Sequence, residues 1–318
     1  MTAAVGLILQ GLQMALVLAL APLLIGWVRT VKARLTRRRG ASILQPYRDI
    51  WRLLHKEAVL AENASWLFRT TPYLVFAAIW VAAALVPTYA AGLAFSGAAD
   101  LIVVVALLGS ARFFLALAAL DTGTSFGGIG ASREMTIAAL AEPAMIMLVF
   151  TLALVAGTTS ISGIAEHVLT HDVGLRVSLG LALIGLVIVA IAENGRIPVD
   201  NPASHLELTM VHEAMVLEYS GRHLAMIELA AALKLLLYVS LLGTLFVPWG
   251  VTLPGAGPSA LAAGIAAWLG KLAVAGLLLA LFETSIAKMR VFRVGEFLGG
   301  ALLLGLLGTV LLFVSRSL

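Results

Sequence analysis

The segment from Glu193 to Gly221, ENGRIPVDNPASHLELTMVHEAMVLEYSG, carries Glu193, Asp200, Glu207, Glu213 and Glu218 together with His205 and His212. Carboxylates and imidazoles at this density can relay protons, ligate a metal or dock a charged partner. The metal option is the weakest. If 203–219 is helical, His205 and His212 share one face seven residues apart, and Glu207 and Glu218 share another, eleven apart, so neither pair makes a site alone. HEAMVLE also lacks the second histidine at i+4 that an H-E-x-x-H zinc site requires. Leu206, Leu208, Met210, Val211, Met215, Val216 and Leu217 are interleaved with the charges. That mixture suits a docking surface or a charged funnel into a membrane better than a solvated acidic loop.

A second set of ionisable residues lies within apolar runs: Arg112 with Asp121, then Glu142, Glu193, Glu228, Lys234, Lys271 and Glu283. A charge at the centre of a membrane span costs roughly 2.5–3.5 kcal/mol even on the mildest scale, so each is a functional candidate. Glu142 stands out because Pro143 follows it in LAEPAMIM. A mid-span proline removes a backbone hydrogen bond and tends to kink the helix, which lets water reach polar groups beside the carboxylate. Two readings stand: a proton relay, or a structural glutamate paired with Arg112 or Lys234 across a helix interface. Lys234, one turn before Tyr238, likewise pairs with a glutamate or relays a proton.

Membrane helices must position these groups. The 318-residue chain is 61% hydrophobic and 12% charged, with a mean hydropathy of +1.03; roughly 45–50% apolar is ordinary for a soluble domain. Apolar runs long enough to cross about 30 Å of hydrocarbon occur near 3–28, 72–90, 99–120, 136–157, 175–193, 225–247, 260–283 and 297–315. The expected architecture is all-α, a single polytopic domain over 1–318 with about eight transmembrane helices. Of the 21 Lys and Arg residues, 16 fall in the odd-numbered loops, which places those loops in the cytoplasm and both termini outside. The opening run lacks a basic n-region and a small-residue cleavage site, so it reads as a retained span.

Two cytoplasmic loops follow. The basic one, 29–69, contains ILQPYRDIWRLLHKE, in which Tyr47, Ile50, Trp51 and Leu54 fall at helical spacing; this is an amphipathic helix for the inner membrane interface. The acidic one, 193–224, is the segment quoted first. TGTSFGGIGASRE, Thr122 to Glu134, reads as a Gly-rich loop on the same side, without the strand or GK[ST] of a nucleotide fingerprint. The net charge of +4 is that of topology-setting loops and implies no nucleic-acid partner. The chain has no cysteine, so it offers no thiolate for an iron–sulfur cluster or a Cys-ligated nickel.

GRIPVDNPASHLELTMVHEAMVLEYSG resembles the cytoplasmic loop of the membrane-anchor subunit of group 4 energy-converting [NiFe]-hydrogenases of the hydrogenase-4 type, related to formate hydrogenlyase. That group lies within the larger family of respiratory complex I subunit 1. RRGASILQPYRDIWRLLHKE and LDTGTSFGGIGASREMTIAALAEP are similar to the same family, and the likeness runs over essentially the whole chain. The resemblance implies an eight-span anchor in a bacterial inner membrane, bound to hydrogenase large and small subunits, an iron–sulfur subunit and antiporter-like membrane subunits. It implies no cofactor in this chain, with the [NiFe] centre and iron–sulfur clusters in those partners.

By the same resemblance, Glu142 matches the family's span-four glutamate, nine positions after Arg133. Asp200, Glu207 and Glu218 match carboxylates of the quinone-side loop of complex I. Ala203 and His205 replace two further carboxylates there, and about three extra residues precede Glu218, which favours the hydrogenase type over a quinone-binding subunit of an NADH-quinone oxidoreductase. The expected relay residues are Glu142, Glu193, Asp200, Glu207, Glu213, Glu218, Glu228 and Lys234. Arg133, Arg196, His205 and His212 are the expected docking residues. A stand-alone secondary transporter is the alternative from another class; internal repeats, which such folds usually show, are not visible.

Overall fold

The computed structural model describes residues 3–171, 177–200, 210–289 and 293–317. Its helices are α1 (Ala3–Leu35), α2 (Gln45–Leu54), α3 (Trp66–Leu85), α4 (Leu101–Asp121), α5 (Ser125–Ala156), α6 (Ile161–Thr170), α7 (Val177–Glu193), α8 (His212–Val216), α9 (Gly221–Leu245), α10 (Pro258–Ser285) and α11 (Val294–Ser317). Among the described residues, seven of these are long and apolar enough to cross a membrane. The eighth expected span corresponds to α7, an apolar helix of 17 residues. The chain is an all-α, multi-pass membrane protein.

The bundle is built around α5, which packs against α4, α7 and α11; α3 packs between α4 and α9, and α1 packs against α9 and α10. Small residues let these helices approach closely, as membrane packing favours: Ala82, Ala83, Ala116, Ala118 and Ala119 are all buried. Side chains close the helix starts, as their orphan N–H groups require. Ser65 accepts from Leu67 N at 3.1 Å, Asp100 from Ile102 N at 2.8 Å and Thr124 from Gly127 N at 3.2 Å. At the end of α3 the buried Gln13 amide donates to Ala84 O and Val86 O, both at 2.8 Å.

Two sequence expectations change. The Gly-rich stretch 122–134 is mostly not a loop, because α5 starts at Ser125, eleven residues before the expected span. Gly130 serves contact: a Cβ there would come within 2.9 Å of Ala214 Cβ, so glycine lets α8 lie directly on α5. Second, no continuous helix covers the described part of 203–219, where only His212–Val216 is helical. The helix α5 continues on both sides of Pro143.

The amphipathic helix lies where the sequence puts it, as α2, against α1 and α9. Trp51 is 67% exposed and Leu54 43%, an apolar edge that faces outward from the bundle. The Tyr47 hydroxyl donates to Ala19 O on α1.

Candidate polar relay within the bundle

The centre of the site is Arg112 on α4, buried to 7% exposure. Its three side-chain nitrogens meet three carboxylates from two other helices. Nε lies 3.2 Å from Glu134 Oε1 and Nη1 lies 3.5 Å from Glu142 Oε1, both on α5; Nη2 contacts Glu193 Oε1 at the end of α7. The expected pairing of Glu142 with Arg112 is therefore present, without separating a relay from a structural role. The side chains of Glu134 and Glu193 are 11% and 6% exposed, whereas that of Glu142 is 44% exposed.

Glu142 opens into a crevice of about 460 Å³ between α4 and α5, lined also by Ile102, Val105, Gly109, Ser110 and Phe150. A Cβ at Gly109 would sit 3.4 Å from Glu142 Oε1, so the carboxylate lies directly against α4. A separate small cavity of about 30 Å³ is lined by Arg112, Glu134, His212, Lys234 and apolar residues. That is the space of a single water. Lys234 lies within electrostatic reach of Glu134 and Arg112, and Tyr238 within reach of Arg112 and Glu142. His212, on α8 outside the spans, has its pKa lowered chiefly by burial and further by Lys234, against the opposing pull of Glu134 and Asp200.

The remaining expected residues are elsewhere. Asp200 is buried and accepts from Lys288 Nζ at 2.8 Å. Glu213 and Glu218 are half-buried on and just after α8. Glu228 is exposed on α9 with Arg29 and Asp49 as electrostatic neighbours, away from the Arg112 group. Of the residues expected to dock a partner, Arg133 donates to Met210 O at 2.7 Å and Arg196 donates to Glu283 Oε1 at 3.4 Å. Both reach inward, and His212 lines the internal cavity. Glu207 and His205 lie outside the described residues.

Sequence reasoning missed Glu134 as a site residue because it treated the stretch before Thr136 as loop. Glu134 and Glu142 are eight residues apart, a spacing that puts both on one stripe of a continuous helix. That signal needed only the earlier helix start.

The sequence profile of the NADH dehydrogenase family matches residues 8–314. The chain belongs to this family. Formate hydrogenlyase subunit 4 of Escherichia coli (strain K12) is 38% identical over 285 residues, covering 89% of this chain and 91% of that protein. Hydrogenase-4 component C of the same organism is 37% identical over 238 residues, covering 75% and 74%. An NADH-quinone oxidoreductase subunit from Paraburkholderia xenovorans (strain LB400) is 27% identical over 233 residues, covering 70% and 65%.

The fold also matches a chain from the structure of the membrane-bound sulfane sulfur reductase, an archaeal respiratory membrane complex. There the TM-score is 0.79 at 21% identity, covering 96% of this chain and 99% of that one. These family relatives are named as subunits or components, which sets the stand-alone transporter aside.

The residues present do not fit the metal centres that the hydrogenase-type relatives suggest. The chain has no cysteine, and among the described residues no group of three metal-ligating side chains comes together.

Proposed function

We propose that this chain is the membrane subunit of a hydrogenase-4 or formate hydrogenlyase type complex in a bacterial inner membrane. It anchors the peripheral redox arm and takes part in coupling electron transfer to proton translocation. The redox centres belong to partners: hydrogenase large and small subunits and an iron–sulfur subunit on the cytoplasmic side, with antiporter-like subunits beside it in the bilayer. Both termini lie outside, in keeping with the concentration of Lys and Arg in the odd loops.

The observation that carries the coupling role is the buried run of ionisable groups from α8 to the α4–α5 crevice. Glu213 and Glu218, with Glu207 beyond the described residues, gather protons at the cytoplasmic loop, which the Asp200–Lys288 pair fixes in place. His212 and the water-sized cavity bring them to Glu134 and Lys234. Arg112 links these to Glu193 and Glu142, and Glu142 opens on the far side. Buried charges of this kind in membranes mark ion pathways by default. His205 serves the docking side of the loop, and Arg133 and Arg196 support that surface from within through Met210 O and Glu283.

The test is purification of the tagged chain from native membranes in mild detergent, with partners identified by mass spectrometry and nickel and iron quantified in the same sample. Co-purifying nickel with iron–sulfur subunits is the expected result. A second reading, a quinone-binding role, draws on the likeness to the NADH-quinone oxidoreductase relative and on a crevice of about 400 Å³ between α7, α9 and α10, where Asn194, Arg196 and Tyr238 stand among apolar side chains. NADH-oxidising partners and bound quinone, without nickel, would establish that reading and overturn the first.

A further inference from the structure

The guanidinium of Arg112 stands among three carboxylates with part of its donor capacity unused. Among the described residues its Nε and Nη1 have no hydrogen-bond partner, although Glu134 and Glu142 stand at ion-pair distance. A guanidinium is a planar fork that binds a carboxylate strongly only when its N–H bonds align with the oxygens. Here Nη2 contacts Glu193 while the other two nitrogens are close to their carboxylates without alignment.

Charge counting gives the same picture. Among the described residues, Glu134, Glu142 and Glu193 all stand at ion-pair distance of Arg112, and Lys234 lies near Glu134; unpaired buried charge is costly. Three carboxylates stand against two cations, so the group has one negative charge that a transferred proton can neutralise. The group is thus arranged for exchange between pairings.

We propose that Arg112 is the positioning residue of the relay, moving its ion pair from Glu193 to Glu142 as the proton arrives. A proton reaching the Glu193 carboxylate forms an O–H bond there and breaks the bond to its donor. Glu193 is then neutral and no longer holds the guanidinium. Arg112 turns its fork to Glu142 and holds it as a carboxylate, so the proton formerly on Glu142 leaves into the α4–α5 crevice. Nothing else is made or broken. This rests on the relay reading given above.

The test measures protons moved per redox turnover by the assembled complex in native-membrane vesicles, normalised to assembled complex. Arg112→Lys keeps the charge and removes the fork. The expected result is assembled complex with at least a tenfold fall in protons per turnover. Coupling at the wild-type ratio in Arg112→Lys would mean that any cation suffices and would overturn the proposal.

If the lysine variant fails to assemble, Arg112→Gln combined with Glu193→Gln removes cation and anion together. An assembled, uncoupled double variant supports the proposal, whereas failure of this variant too, or restored coupling in it, overturns it. Glu142→Gln run alongside separates the two levels. Undiminished translocation in Glu142→Gln removes the relay itself, while its loss beside a fully coupled Arg112→Lys removes only the role of Arg112.

Discussion

Two groups of buried charges in this protein follow opposite rules. At the ends of α1, α7 and α10, Glu283 is only 3% exposed and accepts from Lys32 at 3.0 Å and from Arg196 at 3.4 Å, while Lys288 donates to Asp200 at 2.8 Å. Cations outnumber carboxylates in these pairs, and each is a directed hydrogen bond between separate segments. In the bundle interior, carboxylates outnumber cations around Arg112, and two guanidinium nitrogens lack a hydrogen-bond partner among the described residues. The first arrangement fixes segments to one another; the second leaves a charge able to change partners. A buried ion pair alone does not report function, and its hydrogen-bond saturation separates the brace from the relay.

That contrast can be broken most forcefully at Glu283. Replacing it with Gln leaves Lys32 and Arg196 without their anion. Breaking a buried pair from one side typically costs about 3 kcal/mol or more, so thermal unfolding of the purified subunit should show a large fall. Asp200→Asn retains an acceptor for Lys288 but removes its charge; the loss should be about 1.5 kcal/mol, in the range for hydrogen bonds to charged groups. An unchanged melting temperature in both variants would remove the brace interpretation.

A smaller effect is expected at His212. Its native pKa is depressed by burial, so above its ordinary value of about 6.5 it is neutral folded or unfolded and costs nothing. As pH falls below that value the unfolded chain takes up a proton that the native state resists. Stability is then lost, by at most about 1.4 kcal/mol at pH 5.5. His212→Gln should flatten that part of the curve between pH 7.5 and 5.5, and an identical pH dependence in the two proteins would contradict it.

The smallest stability effect belongs to Glu142. Half-open and only loosely held at 3.5 Å, it should tolerate Gln with a change under about 1 kcal/mol. Assembly should survive in Glu142→Gln while proton translocation is impaired. A variant as destabilised as Glu283→Gln would place Glu142 among the braces and erase the contrast.

Much of this was legible before any coordinates. The apolar runs marked the spans because a helix of about 20 residues is what a bilayer requires, and the i, i+3, i+4 pattern of Tyr47, Ile50, Trp51 and Leu54 marked α2. Glu142 and Glu193 were found because charge in an apolar run is conspicuous. The start of α5 was not legible, since glycines such as Gly127 and Gly130 read as a turn in a soluble context but as close-packing positions in a membrane bundle. Glu134 was lost with it. The inward turn of Arg133 and Arg196 was equally hidden, because a loop arginine looks alike whether it faces a partner or its own chain.

The sequence by itself determined the membrane class, the places of the spans, the family resemblance and the inventory of charges. Hydropathy and motif length are local properties, readable without knowing what each helix touches. Only the tertiary structure decided which charges meet. That Arg112 gathers Glu134, Glu142 and Glu193 while Glu228 stands apart depends on the rotation of each helix and the order of its neighbours. Those are set by packing across α4, α5, α7 and α9, and no periodicity along one segment encodes them.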